Sequence, residues 1–309
     1  MSRFGEVNLG GAEGTGSYGA GLTRYLHDHD VRVVEIDRPN RQRRRRRGKS
    51  DPEDAVSAAR AAQGGEAKGL AKTRDGNVES MRVLRVARSS ARRGRTQALN
   101  QMRSLISTAP DTLRSELREL TIYQVLERTS AYRPGTKRDI VSLTKETLRM
   151  LARRAIALED EVREIDAVLK ALVTETAPEL CDVIGVGTDV ASALLVAAGD
   201  NPERLRNEAA FAHLCGTSPL DASSGKNQRH RLNRGGDRQA NRALHLAVVS
   251  RLRLDPRTQA YVAKKTAEGH STMEVIRCVK RYLAREVYYL LNPGQPAAGI
   301  ARRKPRAAT

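Results

Sequence analysis

The stretch Ala12-Glu-Gly-Thr-Gly-Ser-Tyr-Gly19 (AEGTGSYG) decides how the N-terminal part of this chain is interpreted. It contains Gly14-x-Gly16-x-x-Gly19, the glycine spacing of a dinucleotide-binding loop. A glutamate, Glu13, stands directly before the first glycine. Two interpretations are open: the glycines cradle a pyrophosphate, or Glu13 is the functional residue and the glycines form a close turn beside it.

The segments around this loop predict a β-α-β unit. FGEVNLGGAEG is typical of a strand, SYGAGLTRYLHDHD of a short amphipathic helix and VRVVEID of a second strand. The second strand ends in Glu35 and Asp37, near the position of a ribose-binding acid in a dinucleotide-binding domain. No further convincing strand follows, so the other strands of such a domain have no source. A dinucleotide-binding enzyme is therefore a distant alternative.

The composition points to a nucleic-acid partner. The chain has 309 residues, enough for two modest domains, with 55 Lys and Arg against 36 Asp and Glu and a net charge of +19. Such an excess favours a polyanion, because each neutralised phosphate releases counterions. Aromatic residues make up only 3% of the chain, which argues against a base-stacking platform. No apolar run approaches about 18 residues, so we expect no membrane partner and a cytoplasmic location.

Three carboxylates are candidates for a metal site. A basic loop after the second strand runs into a helix that begins near Ser50, and Asp51 and Asp54 lie on one face of its first turn. With Glu13 they are able to share a divalent cation, as in phosphodiester chemistry that uses two Mg²⁺ ions about 4 Å apart. The alternative is that Asp51 caps the helix, Asp54 interacts favourably with the helix dipole and Glu13 is solvated.

Two long helices are predicted in the middle of the chain. The first spans 78–107 and carries an arginine stripe that contacts phosphate or is only a wet helix face. The stripe consists of Arg85, Arg88, Arg92 and Arg95. The second helix carries apolar residues at alternating spacings of three and four, which predicts a coiled coil. This seam consists of Leu148, Leu151, Ala155, Leu158, Val162, Ile165, Leu169 and Leu172.

The C-terminal part reads as helices and one polar loop. Gly185-Val186-Gly187 joins two apolar helical pieces, as in a helix-hairpin-helix element whose turn amides bind phosphate, although an ordinary tight turn is an equal alternative. A loop rich in Ser, Gly, Asn and Arg then leads to a helix that starts near Asp237. Cys181, Cys215 and Cys278 lie far apart, so they suggest neither a disulfide framework nor a zinc site.

These motifs, in this order, resemble the insertion-sequence transposases of family one-ten. The resemblance rests on EGTGSYG, GKSDPEDA, the coiled coil, IGVG, SSG, NRGGDRQANRAL and IRCVKRYLARE, and it covers nearly the whole chain. It implies an RNase-H-like N-terminal domain, similar to Holliday-junction resolvases, with an Asp-Glu-Asp-Asp set that holds Mg²⁺ or Mn²⁺. It also implies a helical C-terminal domain with a nucleophilic serine, and an element-encoded guide RNA that selects target and donor DNA.

The resemblance assigns roles to individual residues. Glu13 matches the glutamate of the metal set, and Asp51 and Asp54 match its last two aspartates. Ser224 matches the nucleophile, with Ser223 as the alternative because the two are adjacent. Arginines nearby in the sequence are candidates to neutralise charge at phosphorus. His230 is a candidate base, although a loop histidine beside arginines is more often a phosphate contact or solvated. The arginines are Arg229, Arg231, Arg234 and Arg238.

One departure from the family pattern concerns the first aspartate. The twelve residues before Glu13 contain none, so we expect a start upstream of Met1 or a truncated copy, which binds nucleic acid without cutting it in the alternative reading. The predicted fold is α/β plus all-α: a partial RNase-H-like domain at 1–107, a linker and coiled coil at 108–176, a helical serine domain at 177–292 and a disordered tail at 293–309. We expect a homo-oligomer through the coiled coil, in the bacterial cytoplasm at the nucleoid.

Overall fold

The computed structural model describes residues 5–36, 51–65, 69–133, 135, 137–221 and 230–295, without the side chains of residues 53 and 230. Contacts group the chain into two compact units, residues 1–79 with 173–309 and residues 80–172. The N-terminal sheet and the C-terminal helices therefore share one unit. This grouping differs from the four-part division predicted from the sequence, which stays a prediction about functional segments.

The N-terminal sheet has three strands in the order β1-β2-β3. Strand β1 (Leu9–Glu13), helix α1 (Ala20–His27) and strand β2 (Arg32–Ile36) form the predicted β-α-β unit, and β1 pairs parallel to β2 with Glu13 beside Ile36. Strand β3 (Gly69–Leu70) pairs antiparallel to β2. The expectation of no further strands was therefore wrong. The sequence could not indicate β3, because a two-residue strand is too short to produce an alternating pattern.

The sheet carries one helix on each face. On one side, Ala12 and Val33 pack with Leu26 of α1 in a small apolar cluster. On the other side, Val34 and Ile36 pack with Ala58 and Ala62 of helix α2 (Asp51–Gln63). Because side chains alternate along a strand and paired parallel neighbours point the same way, Glu13 lies on the α2 face beside Ile36.

The second unit is a helical hairpin with two short helices at one end. Helix α3 (Asn77–Thr108), which begins in the first unit, is followed by α4 (Asp111–Leu117), α5 (Ile122–Ser130) and α6 (Ile140–Thr176). Four seam residues are buried within this chain and the other four are half-buried. The buried ones are Leu148, Ala155, Val162 and Leu169. Part of the seam therefore packs inside one chain, against Ala98, Leu99 and Met102 of α3.

The C-terminal part is almost entirely helical. Two 3₁₀ turns (Pro178–Leu180 and Pro202–Arg204) flank helix α7 (Thr188–Ala198), and α8 (Glu208–Leu214) follows. A two-strand pair, β4 (Leu220–Asp221) with β5 (His230–Arg231), precedes α9 (Arg238–Leu254), α10 (Pro256–Ala267) and α11 (Thr272–Leu291). The predicted start at Asp237 is confirmed, since its carboxylate accepts hydrogen bonds from the amides of Gln239 and Ala240.

The core of this part includes one apolar face of the last helix. Five apolar residues at helical spacing are buried in α11: Val275, Ile276, Val279, Leu283 and Val287. Tyr288 joins them, and its hydroxyl donates to the carbonyl oxygen of Leu205 at 3.1 Å. No helix in the described ranges is both long and apolar enough to cross a bilayer.

Candidate functional site

Glu13 is the carboxylate most unusually placed in the first unit. It ends β1, and its Oε1 atom is buried and accepts no hydrogen bond from any described residue. A buried carboxylate oxygen without a partner is costly, and a bound cation is one way to satisfy it. The position of Glu13 therefore fits a metal ligand better than a solvated side chain, which was the alternative left open by the sequence.

Helix α2 is seated directly on β1. A Cβ built on Gly11 would lie 2.7 Å from the carbonyl oxygen of Ala58, so only glycine permits this contact. Asp54 lies one turn before Ala58 on the same face of α2, and Gly11 and Glu13 share one face of β1. Glu13 therefore lies on the face of β1 that meets α2, and Asp54 lies on the face of α2 that meets β1.

The three predicted metal ligands do not form a closed cluster. Asp51 is exposed and Asp54 is half-buried with a partner of its own. Within the described ranges, no group of three or more His, Cys, Asp or Glu side chains is arranged to hold a metal. The assignment of Glu13, Asp51 and Asp54 to Mg²⁺ or Mn²⁺ therefore stays a prediction, with the buried oxygen of Glu13 in its favour.

The glycine loop packs closely against the backbone of Glu13. Gly14 has φ +59°, a left-handed conformation that suits glycine, and its carbonyl oxygen accepts a hydrogen bond from the amide of Ser17 at 2.8 Å. A Cβ on Gly19 would lie 2.5 Å from the carbonyl oxygen of Glu13. Thr15 donates from its hydroxyl to Glu35 at 2.7 Å. Gly14 and Gly19 are thus required by close packing at the end of β1. Glu35 of β2 already accepts a hydrogen bond from Thr15 of the loop.

The predicted serine nucleophile belongs to the stretch of sequence between two strands that pair with each other. Leu220 pairs with Arg231 and Asp221 with His230, and these strands bracket residues 222–229 in sequence. Ser223, Ser224 and Arg229 fall outside the described residues, as does the side chain of His230. The remaining three predicted arginines are all exposed and have no acidic partner in the described part of the chain: Arg231, Arg234 and Arg238.

The segment that follows the paired strands is fixed by a buried polar network. Asn241 donates to the carbonyl oxygens of Cys215 at 2.8 Å and Gly216 at 3.1 Å, and accepts from Nζ of Lys280 at 2.6 Å. Burial lowers the pKa of Lys280. Gly236 has φ +85°, and a Cβ there would lie 2.5 Å from the carbonyl oxygen of Leu214. This network ties the start of α9 to the end of α8 and to α11, and no sequence motif indicated it.

Comparisons with known proteins identify the family of this chain. A family model described as "Transposase IS116/IS110/IS902 family" matches residues 177–263, and one described as "Transposase", named for the DEDD transposases of IS110, matches residues 2–109. The chain belongs to the IS110 family of transposases. The "Insertion element IS110 uncharacterized 43.6 kDa protein" of Streptomyces coelicolor is 28% identical over 177 residues. That match covers 56% of this chain and 42% of the relative, less than half of its length.

The Gly185-Val186-Gly187 turn of this transposase-family chain has a packing role at its first glycine. Gly185 has φ +85°, and a Cβ there would lie 2.4 Å from the carbonyl oxygen of Ala247 in α9. Gly187 precedes α7 and faces open space. The element before the turn is only the 3₁₀ turn at Pro178–Leu180. Gly185 is therefore required by helix packing, and phosphate contact at Gly185 and Gly187 stays a prediction.

The arginine stripe of the second unit is partly engaged in ion pairs. Arg88 pairs with Asp166 of α6, and Arg95 pairs with Glu159 of the same helix. Arg85 is half-buried and has a partner, whereas Arg92 is exposed. Arg88 and Arg95 thus join α3 to α6 by ion pairs, a role that the spacing of the stripe did not indicate. Phosphate contact by the stripe stays a prediction, and Arg92 is its best-placed member.

A polar joint connects the sheet to the C-terminal helices within the first unit. Nδ2 of Asn201 donates to the carbonyl oxygen of Ala71 at 3.0 Å, and Nζ of Lys72 donates to the carbonyl oxygen of Val196 at 2.6 Å. Asp200 accepts from the amides of Val78 at 2.8 Å and Glu79 at 3.1 Å. Asp200 therefore caps α3 from more than a hundred residues away. Sequence offers only the turn signal Asp200-Asn201-Pro202 for it.

Proposed function

We propose that this chain acts as the transposase of an insertion element, cutting and exchanging DNA strands under the direction of an element-encoded RNA. The observation that supports it most is the buried oxygen of Glu13, which has no partner among the described residues and lies on the face of β1 that meets helix α2. Family membership, the exposed arginines and the net charge of +19 support a DNA substrate.

The N-terminal unit would supply the metal-dependent part of the chemistry. Glu13, Asp51 and Asp54 would hold Mg²⁺ or Mn²⁺, in an RNase-H-like arrangement with α2 against β1. A bound divalent ion supplies charge neutralisation at the reacting phosphate. The residues of the chain provide orientation: Gly11 lets α2 approach β1, and Gly14 and Gly19 turn the backbone sharply after Glu13.

The C-terminal part would supply the covalent step. The hydroxyl oxygen of Ser224 would form a bond to phosphorus while the bond from phosphorus to the departing sugar oxygen breaks, and the hydroxyl proton would pass to a base or to water. Arg231, Arg234 and Arg238, exposed beside this segment, would stabilise the negative charge that builds up at phosphorus. Strand exchange would follow when a second DNA end reverses the bond.

The proposal is tested by trapping the covalent intermediate. The purified chain is incubated with DNA containing the element ends and Mg²⁺ or Mn²⁺, and protein–DNA adducts are separated on denaturing gels. We expect adducts for the parent, none for Ser224→Ala and some for Ser223→Ala. Adducts that persist in the double alanine variant would rule out the serine mechanism.

A second set of variants tests the carboxylates. Glu13→Gln, and the pair Asp51→Asn with Asp54→Asn, keep the size of each side chain and remove its charge. Asparagine also keeps the capping ability of aspartate, so a purely structural role predicts normal recombination. We expect recombination to collapse in both cases, while melting temperatures stay near that of the parent. A parent that binds DNA but forms no adduct and no recombinant would indicate a binding protein instead.

A further inference from the structure

We propose that Arg74 binds a backbone phosphate of the DNA at the Glu13 loop. This inference rests on the proposed function, and it adds a residue for which no sequence motif gave a role. Arg74 lies in the segment between β3 and α3, which the polar joint ties to the C-terminal helices.

The backbone around Arg74 is held on both sides. Before it, Asn201 accepts from the amide of Thr73 at 3.3 Å in addition to its bond with Ala71. After it, the carboxylate of Asp200 captures the first amides of α3. Between these fixed points Arg74 adopts φ +61°, which is unfavourable for a residue with a Cβ. Such strain persists only where the surroundings impose it, and it clusters at functional sites.

The side chain of Arg74 extends from this strained backbone to Gly16 in the glycine loop. A Cβ built on Gly16 would lie 3.2 Å from Nη2 of Arg74, so the guanidinium ends directly beside this exposed glycine. The side chain is only 13% exposed, and its Nε atom is buried without a hydrogen-bond partner among the described residues. Its acidic neighbour is Glu79, whose Oε1 lies 3.8 Å from Nη1, beyond hydrogen-bond distance.

These features describe a guanidinium with an ion pair to Glu79 but with its Nε donor unused by the described residues. A buried guanidinium donor without an acceptor is costly, and Arg offers a planar fork that matches two phosphate oxygens. Gly16 belongs to the same short loop that follows Glu13, so a phosphate bound there lies next to the proposed metal ligand. Charge on that phosphate would be neutralised by Arg74 from the loop side. A DNA backbone phosphate is the ligand class that fits the chemistry and the basic composition.

The test measures DNA binding rather than catalysis. Affinity for a short fluorescein-labelled DNA duplex is measured over a range of salt in the presence of EDTA, for the parent and for Arg74→Gln, Arg74→Gly and Arg74→Lys. We expect Gln and Gly to lower the slope of log affinity against log salt by about 0.9, the value of one phosphate contact, and Lys to retain most of it. Glycine accepts φ +61° without strain, so Arg74→Gly keeps the test valid if the glutamine variant unfolds.

The matched control is Glu79→Gln, which removes the acidic neighbour of Arg74 and leaves the guanidinium. We expect its salt slope to equal that of the parent. An unchanged slope in the Arg74 variants, or the same change in Glu79→Gln, overturns the inference and leaves the proposed function intact. A slope that changes only with single-stranded RNA as the probe also overturns it. A parent that binds no DNA overturns the proposed function and this inference together.

Discussion

Arg88 and Asp166 form a two-point ion pair inside one chain: Nε donates to Oδ1 at 2.5 Å and Nη2 donates to Oδ2 at 3.2 Å. The pair joins α3 to α6, and Arg95 repeats the contact with Glu159 two turns further along α3. The residue numbers rise along one helix as they fall along the other, so the hairpin is antiparallel. A stripe that the sequence presented as a phosphate surface therefore also fixes the register of the hairpin.

The Arg88–Asp166 pair should contribute measurably to stability. Its arginine side chain is 12% exposed and the geometry is bidentate, so we expect a coupling energy of about 1 to 2 kcal/mol in a double-mutant cycle to alanine. Arg163 and Asp160 provide the control, since both side chains are more than half exposed and such pairs couple by about 0.5 kcal/mol or less. Urea unfolding measures both cycles, and equal coupling in the two would contradict a special role for Arg88.

Oligomer formation should depend on the outer side of α6 rather than on the seam. Leu158 is engaged within the chain, because a Cβ on Gly94 of α3 would lie 3.2 Å from its Cδ1 atom. Leu143 and Met150 lie one heptad apart on α6 and are 45% and 64% exposed. We expect Leu143→Asp with Met150→Asp to reduce the mass seen by sedimentation, while Leu158→Asp lowers the free energy of unfolding. Loss of mass in Leu158→Asp alone would assign the seam to the contact between protomers.

The exposed arginines after the paired strands should carry phosphate contacts. Replacing Arg231, Arg234 and Arg238 with Gln should flatten the dependence of log affinity on log salt by up to about 0.9 for each lost contact. A control triple removes three arginines that have acidic partners in the second unit: Arg114, Arg118 and Arg128. We expect the control to leave the slope near that of the parent. A slope for the Arg231, Arg234 and Arg238 variant equal to that of the parent would mean that these arginines do not contact DNA.

Lys72 should make stability depend on alkaline pH. Burial, and then the charge of Arg204, lower the pKa of Lys72 from 10.5 to about 8 in the folded chain. Between those values the unfolded chain binds more protons, so the free energy of unfolding rises with pH across this window. Relative to Lys72→Met, the parent should gain up to roughly 3 kcal/mol between pH 7 and pH 10.5. A constant difference between the two chains would show that Lys72 titrates normally when folded.

The cap that Asp200 provides for α3 should contribute about as much to the free energy of unfolding as a cap from an adjacent residue does. Asp200→Ala removes both acceptors of the Val78 and Glu79 amides, so we expect a loss of about 1 to 2 kcal/mol in the free energy of unfolding. Asp200→Asn keeps an oxygen acceptor and should lose less. Thermal unfolding compares the three proteins, and a silent alanine variant would mean that water replaces the carboxylate at no cost.

Much of the local structure was predictable because it follows from periodicity and chain chemistry. The β-α-β start, the two long helices, the cap at Asp237 and the apolar face of α11 all depend on residues a few positions apart. The family was identifiable for the same reason, since its motifs are short and keep their order along the chain. Strands β3, β4 and β5 were missed because each has only two residues and is stabilised by a partner strand.

The sequence by itself determined the helices, the basic character of the chain and the presence of Glu13 beside a tight glycine turn, since each depends on neighbouring residues alone. Tertiary structure decided which of these residues meet. It gave Arg88 an acidic partner and brought Asp200 to the first turn of α3. Among the described residues, it left one oxygen of Glu13 buried without a donor and the Nε of Arg74 buried without an acceptor. These pairings join residues up to more than a hundred positions apart, and only the folded packing of the chain fixes such distances.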